Sequence, residues 1–138
     1  MSRYVVDANV AIKWFIPEVL SAEAVRLAAG GHRLLAPDLL YAEAGNALWQ
    51  KVRRGSVTPT EALQILGAIV AAPVEVHPVR PLGALALRLA IDLGCTVYDA
   101  CYLGLALGHD CALVTADGRL RERLATPYAE RVIHLSAV

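Results

Sequence analysis

Arg3-Tyr4-Val5-Val6-Asp7 is a short apolar run that stops on an acid. Cys111-Ala112-Leu113-Val114-Thr115 is a second such run, and it meets Asp117 two residues later. Runs of this length, centred on valine and leucine, read as buried strands, here Arg3–Asp7 and Cys111–Thr115. Working outward, Arg33–Ala36 is a further strand closed by Pro37, Val74–Val79 another bounded by prolines, and Arg131–Leu135 the last. Between them the apolar spacing changes to a helical period over Val10–Phe15, Ser21–Ala29, Leu39–Arg53, Thr60–Ala71, Leu82–Leu93, Val97–Leu107 and Arg119–Leu124. Strands that alternate with helices imply an α/β fold, a parallel sheet covered on both faces. The punctuation agrees: Thr58-Pro59 opens one helix, Gly30-Gly31 closes another, and Gly94 and Gly108 close two more.

At 138 residues the chain is long enough for one domain, expected to span 1–138. Hydrophobic residues make up 57% and charged residues 19%, which excludes intrinsic disorder. Arg88, Asp92 and Asp99 interrupt the longest apolar stretches, so no membrane helix is expected. The N-terminus lacks the long apolar region and cleavage site of a secretory signal, and a cytoplasmic location is expected. Cys95, Cys101 and Cys111 form no C-x-x-C pair and read as small buried hydrophobes. His32, His77, His109 and His134 lack zinc-site spacing. The net charge is zero, with 13 basic and 13 acidic residues. If four acids converge on a cation, however, the remaining surface is basic, and all its cations except Lys13 and Lys51 are arginines suited to phosphate.

Four acids stand in unusual places. Asp7 ends the first strand, and open α/β sheets bind ligands beyond their carboxyl edges; the structural alternative is a cap for the next helix. Glu43 interrupts the apolar stripe of Leu40, Ala44, Ala47 and Leu48, beside Asn46. An unpaired carboxylate buried there is costly, and the alternative is a salt bridge to an arginine. Asp99 begins a helix that is apolar all round; Thr96-Val97-Tyr98-Asp99 also reads as a capping box. Asp117 lies just past a strand, with a cap or turn beside Gly118 as its alternative, and Thr115 can hydrogen-bond a neighbouring carboxylate or water. A doubly wound sheet brings all four to one edge. Carboxylates so close repel unless cations bind between them. An all-oxygen donor set suits Mg²⁺ or Mn²⁺ and disfavours zinc. Such sites serve phosphate hydrolysis by in-line attack of an activated water.

Four segments carry a resemblance: Val5-Val6-Asp7-Ala8-Asn9-Val10-Ala11-Ile12-Lys13-Trp14-Phe15, Pro37-Asp38-Leu39-Leu40-Tyr41-Ala42-Glu43-Ala44-Gly45-Asn46-Ala47-Leu48, Tyr98-Asp99-Ala100-Cys101-Tyr102-Leu103-Gly104-Leu105-Ala106 and Leu113-Val114-Thr115-Ala116-Asp117. In this order they resemble the PIN-domain family, nearest to its VapC branch, the toxins of type II toxin–antitoxin modules. The resemblance implies a three-layer α/β/α fold on a five-stranded, mostly parallel sheet. It implies a Mg²⁺- or Mn²⁺-dependent endoribonuclease whose acids are Asp7, Glu43, Asp99 and Asp117, with Asn9 and Thr115 as polar helpers. It also implies RNA as substrate, a homodimer, and a cognate VapB-like antitoxin that blocks the site through its C-terminal segment.

Surface expectations follow. Trp14-Phe15-Ile16-Pro17 and Trp49 are either core packing or a groove for an antitoxin helix. Lys51, Arg53 and Arg54, and Arg119, Arg121 and Arg123, are solvated helix faces or contacts to RNA backbone, with Arg119 and Arg121 the first candidates. Three rival functions make other demands on the residues. A haloacid-dehalogenase-type phosphatase needs a second aspartate where Asn9 stands. A phospho-acceptor receiver needs an aspartate after its third strand, and Val74–Val79 offers none. A catalytically silent PIN scaffold that only binds a partner would not need the complete acidic set.

Overall fold

Alternation along the strands decides the layers. Val5 of β1 (Arg3–Val6), Leu35 of β2 (Arg33–Pro37), Leu113 of β4 (Ala112–Thr115) and Val132 of β5 (Val132–His134) share one buried cluster. Their strand neighbours Val6, Leu34 and Val114 point the other way into a second. Successive strand residues face opposite sides, so both faces of this sheet must be covered. The computed structural model describes residues 2–138. With β3 (Val74–His77) at one edge, the sheet runs β3-β2-β1-β4-β5, and every pairing is parallel.

On the Val5 side lies α6 (Val97–Gly108), backed by α5 (Gly83–Leu93) and flanked by α7 (Gly118–Arg123). On the Val6 side lie α1 (Ala8–Lys13), α2 (Ser21–Ala29), α3 (Leu39–Arg53) and α4 (Pro59–Ala71). This is the expected three-layer α/β/α architecture. Short 3₁₀ turns cover Arg80–Leu82, Tyr128–Arg131 and Leu135–Ala137. Val5, Val6, Leu35, Leu113 and Val114 are fully or almost fully buried, each worth ~1.5–3 kcal/mol by transfer from water. The α5–α6 packing depends on Gly104: a Cβ there would lie 3.3 Å from Leu85 Cδ2.

Local signals explain where the elements start and stop. A complete capping box opens α4: Glu61 N–H donates to Thr58 Oγ1 and Thr58 N–H donates to Glu61 Oε1. The first helix starts at Ala8 rather than Val10, because the Asp7 side chain accepts from Val10 N–H. Gly94 ends α5 in the left-handed region, φ 73°. Gly108 does not close its helix in that way. It is the last residue of α6, and the left-handed residue is Asp110, φ 49°. Aspartate tolerates that conformation through local polar bonding. The third strand stops at His77, before Pro78, and Val79 N–H donates to Asp38 Oδ1 instead of to a neighbouring strand. Among the described residues no single helix is long and apolar enough to cross a membrane. The three cysteines are free thiols, with Cys101 and Cys111 buried and Cys95 half-buried.

Candidate active site

The strand order contains one reversal. From β1 the chain builds outward through β2 to β3, then crosses back to lay β4 on the other flank of β1. The carboxyl ends of β1 and β4 therefore border the switch point, where open α/β sheets offer a crevice. Asp7 follows β1 directly, and it continues the Val5 alternation toward α6. Thr115 is the last residue of β4, on the same side as Leu113, and Asp117 follows. From above, α6 contributes Asp99 in its first turn and α3 contributes Glu43 one turn in. Asp7, Asn9, Glu43, Asp99, Tyr102, Thr115 and Asp117 line one cavity of about 130 Å³. All four acids picked from the sequence thus border the same space, together with both polar helpers.

The acids are held differently. Asp7 Oδ1 accepts from Val10 N–H at 3.0 Å, and Oδ2 accepts from the Thr115 hydroxyl at 2.6 Å. Thr115, 3% exposed, accepts in turn from Asp117 N–H at 3.1 Å. A single hydroxyl therefore ties the ends of β1 and β4 together. Asp117 caps α7 through Arg119 N–H at 2.9 Å and forms a forked pair with the Arg119 guanidinium at 3.1 and 3.2 Å. Asp99 N–H donates to Thr96 Oγ1 at 3.1 Å, which is half of a capping box, and Asp99 lines the cavity. Glu43 has no salt bridge among the described residues, so the arginine partner considered for it is not there. Asn9 is exposed at the rim.

Electrostatics divide the four. Burial pushes the Asp7 carboxyl up to about 6, against the Thr115 and Val10 hydrogen bonds, with Glu43 and Asp99 adding repulsion. Burial also raises Glu43, against a pull from the Tyr102 hydroxyl, and Asp99 repels it. Asp99 is raised by burial and by Asp117, while Thr96, Arg123 and Arg119 pull it down. Asp117 goes the other way, held low first by its hydrogen bonds from Arg119. Three acids are strained in the ionised form, and one is neutralised from within the chain.

Among the described residues no three His, Cys, Asp or Glu side chains stand close enough together to hold a metal ion by themselves. The donor chemistry still fits Mg²⁺ or Mn²⁺. The lining is oxygen-rich, without His or Cys, and Mg²⁺ typically takes one or two carboxylates and keeps several waters.

Other sequence candidates fall as follows. Arg119 and Arg123 are one helical turn apart on α7, and both act on Asp99 and Asp117. Arg121 is two residues from each and turns away, its Nε donating to Ala129 O at 3.3 Å. The sequence grouped Arg119 with Arg121 by proximity, but helical period groups Arg119 with Arg123. Trp14 is a packing element, its indole N–H donating to Ala24 O at 3.0 Å. Trp49 is outside the core, 53% exposed, with the Arg53 guanidinium 4.8 Å above its ring. Lys51 is paired with Glu18. Sequence reasoning did not place Tyr102 in the site. Its signal was a hydroxyl-bearing ring three residues after Asp99 in an otherwise apolar helix.

Residues 4–124 match the sequence model of the PIN domain, and the chain belongs to the PIN-domain family. Within that family it is 34% identical to Ribonuclease VapC3 of Pyrobaculum aerophilum over 130 residues, covering 91% of this chain and 99% of the relative. The crystal structure of PAE2754 from the same organism superposes with a TM-score of 0.75 at 28% identity, covering 98% of this chain and 85% of that one. VapBC2 from Rickettsia felis, solved bound to a promoter DNA fragment, matches in fold with a TM-score of 0.61 at 16% identity, covering 96% of this chain and 98% of that one. Membership of this family sets aside the phosphatase and receiver readings.

Proposed function

We propose that this chain is a divalent-cation-dependent endoribonuclease, the toxin of a VapBC-like pair, acting in the cytoplasm. The observation that carries the reading is the trio Asp7, Glu43 and Asp99, all raised by burial around one cavity at the switch point. Natural folds seldom retain such an arrangement without something to bind in it. The names of the similar ribonucleases support RNA as the substrate.

In this reading Asp7 and Glu43 hold the cation, Mg²⁺ or Mn²⁺, with Asp99 and Asp117 contributing through its waters. The bound cation supplies an acidified water and neutralises charge on the scissile phosphate. Thr115 and Val10 N–H keep the Asp7 carboxylate from rotating. Asn9 offers an amide at the rim. Arg119 holds Asp117 and can exchange it for an RNA phosphate, while Arg123 adds positive charge on the same helix face. A VapB-like antitoxin as partner and a homodimer as assembly complete the proposal; a solved VapBC complex of the same fold supports the first.

The test is incubation of the pure protein with total cellular RNA, with Mg²⁺, Mn²⁺ or EDTA, followed by mapping of the new ends. Discrete cuts that need the cation and vanish in Asp99→Asn are expected. Equal cutting by that variant would refute the assignment. A silent interaction module is the second reading, favoured by the Arg119–Asp117 pair that already neutralises one acid. Absence of cleavage with every divalent ion, alongside antitoxin binding, would select it.

A further inference from the structure

We infer that Tyr102 is a positioning residue of this site: in the cation-loaded protein its phenolic O–H donates to the Glu43 carboxylate and fixes that ligand's orientation. The inference rests on the cation site proposed above.

Tyr102 is 3% exposed, and its hydroxyl is fully shielded from solvent without a hydrogen-bond partner. Among the described residues only His77 Nε2 shares that condition. Leaving such a group unpaired costs stability. Phenylalanine would fill the same core at no such cost, so packing alone does not explain the hydroxyl. The ring belongs to the Val5 and Leu103 cluster, while its polar tip reaches the cavity lined by Asp7, Glu43 and Asp99.

The surroundings define what the hydroxyl can do. A phenolic O–H is a donor in its ordinary neutral form, and Asp7 and Glu43 line the same cavity. Two of the four acids already have donors on their carboxylates: Asp7 from Thr115 and Val10, Asp117 from Arg119. Among the described residues Glu43 has none within hydrogen-bond geometry, yet the Tyr102 hydroxyl stands near enough to favour its ionised form against burial. A glutamate carries one more rotatable bond than an aspartate and loses more freedom when it becomes a ligand. Donors behind a ligand hold its orientation, and their loss typically costs 10–100-fold in metal affinity.

The test uses the full chain, Mn²⁺ as probe, and electron paramagnetic resonance to count free Mn²⁺. Tyr102→Phe is expected to weaken Mn²⁺ binding about 10-fold, with melting in EDTA unchanged or slightly raised. Cleavage should recover toward the parent rate at saturating Mn²⁺. In a Glu43→Gln background, adding Tyr102→Phe should cause no further loss of affinity. Parent-like Mn²⁺ affinity in Tyr102→Phe overturns the inference, as does a full additional loss in the Glu43→Gln background. If the parent binds Mn²⁺ and the variant binds it equally, the proposed function survives and only this role falls. If the parent binds no Mn²⁺, both fall.

Discussion

Glu18 and Glu43 sit near the same two helices and are treated in opposite ways. Glu18 follows α1 and receives two cations: Lys13 of α1 at 3.0 Å and Lys51 of α3 at 2.9 Å. Despite partial burial, its lysine partners pull its carboxyl below the usual range. Glu43, eight residues before Lys51 on α3 and so roughly 12 Å along the helix axis, has no cation partner among the described residues and is raised by burial. The chain had cations to spend and placed them on the outer carboxylate. Glu18 therefore clamps α1 to α3 as finished structure. Glu43, Asp7 and Asp99 remain unbalanced, which suits a charge supplied from solution.

The sharpest way to break this contrast is to neutralise an inner acid. Asp7→Asn or Asp99→Asn should lower RNA cleavage by at least ~10²–10³-fold, a barrier increase of about 3–4 kcal/mol, while circular dichroism shows the fold retained. Stability should move the other way. In EDTA at pH 7, Asp7→Asn should stabilise the protein by on the order of 2 kcal/mol, because asparagine still caps α1 and the desolvated charge is gone. Urea unfolding measures this, and clear destabilisation would contradict the crowding of the acids.

Acid pH should produce the next effect. A carboxyl whose folded pKa is raised contributes stability that is full below its unfolded pKa and disappears as pH rises through the folded value. For Asp7 that window runs from about 4 to about 6, with Glu43 and Asp99 acting in the same direction. Chelated protein should therefore gain stability as pH falls from 7 to 5, and saturating Mg²⁺ should flatten the gain. Glu18 has the opposite sign, and its contribution is lost only at lower pH, as its depressed pKa is crossed. Glu18→Gln should destabilise by about 1 kcal/mol with or without chelator.

The smallest effect belongs to the rim. Arg119→Ala in an Asp99→Asn background should weaken RNA binding several-fold at low salt and less at high salt. Arg121→Ala should do less, since that side chain is already committed to Ala129 O.

Much of this was legible in the sequence, for identifiable reasons. Tyr4-Val5-Val6-Asp7 and Leu113-Val114-Thr115-Ala116-Asp117 combine a strand period with an acid at the carboxyl end, and strand direction then fixes where that acid lies. Glu43 was visible because it violated an apolar stripe. Tyr102 was not, because a tyrosine in an apolar helix fits a core pattern and only the coordinates reveal that its hydroxyl lacks a partner. The pairing of Asp117 with Arg119 was hidden too, since side-chain direction on a six-residue helix is not fixed by spacing. Gly108 misled because glycine near a helix end usually supplies the left-handed residue, and here Asp110 did.

The Thr115 hydroxyl that joins the two strand ends links residues 108 positions apart in the chain. A ribosome must have made β4 before that link can close. Asp7 and Glu43 emerge early, but their crevice has no second wall until β4 inserts beside β1. A nascent or truncated fragment ending before Ala112 should therefore be unable to cut, so catalytic competence waits for β4.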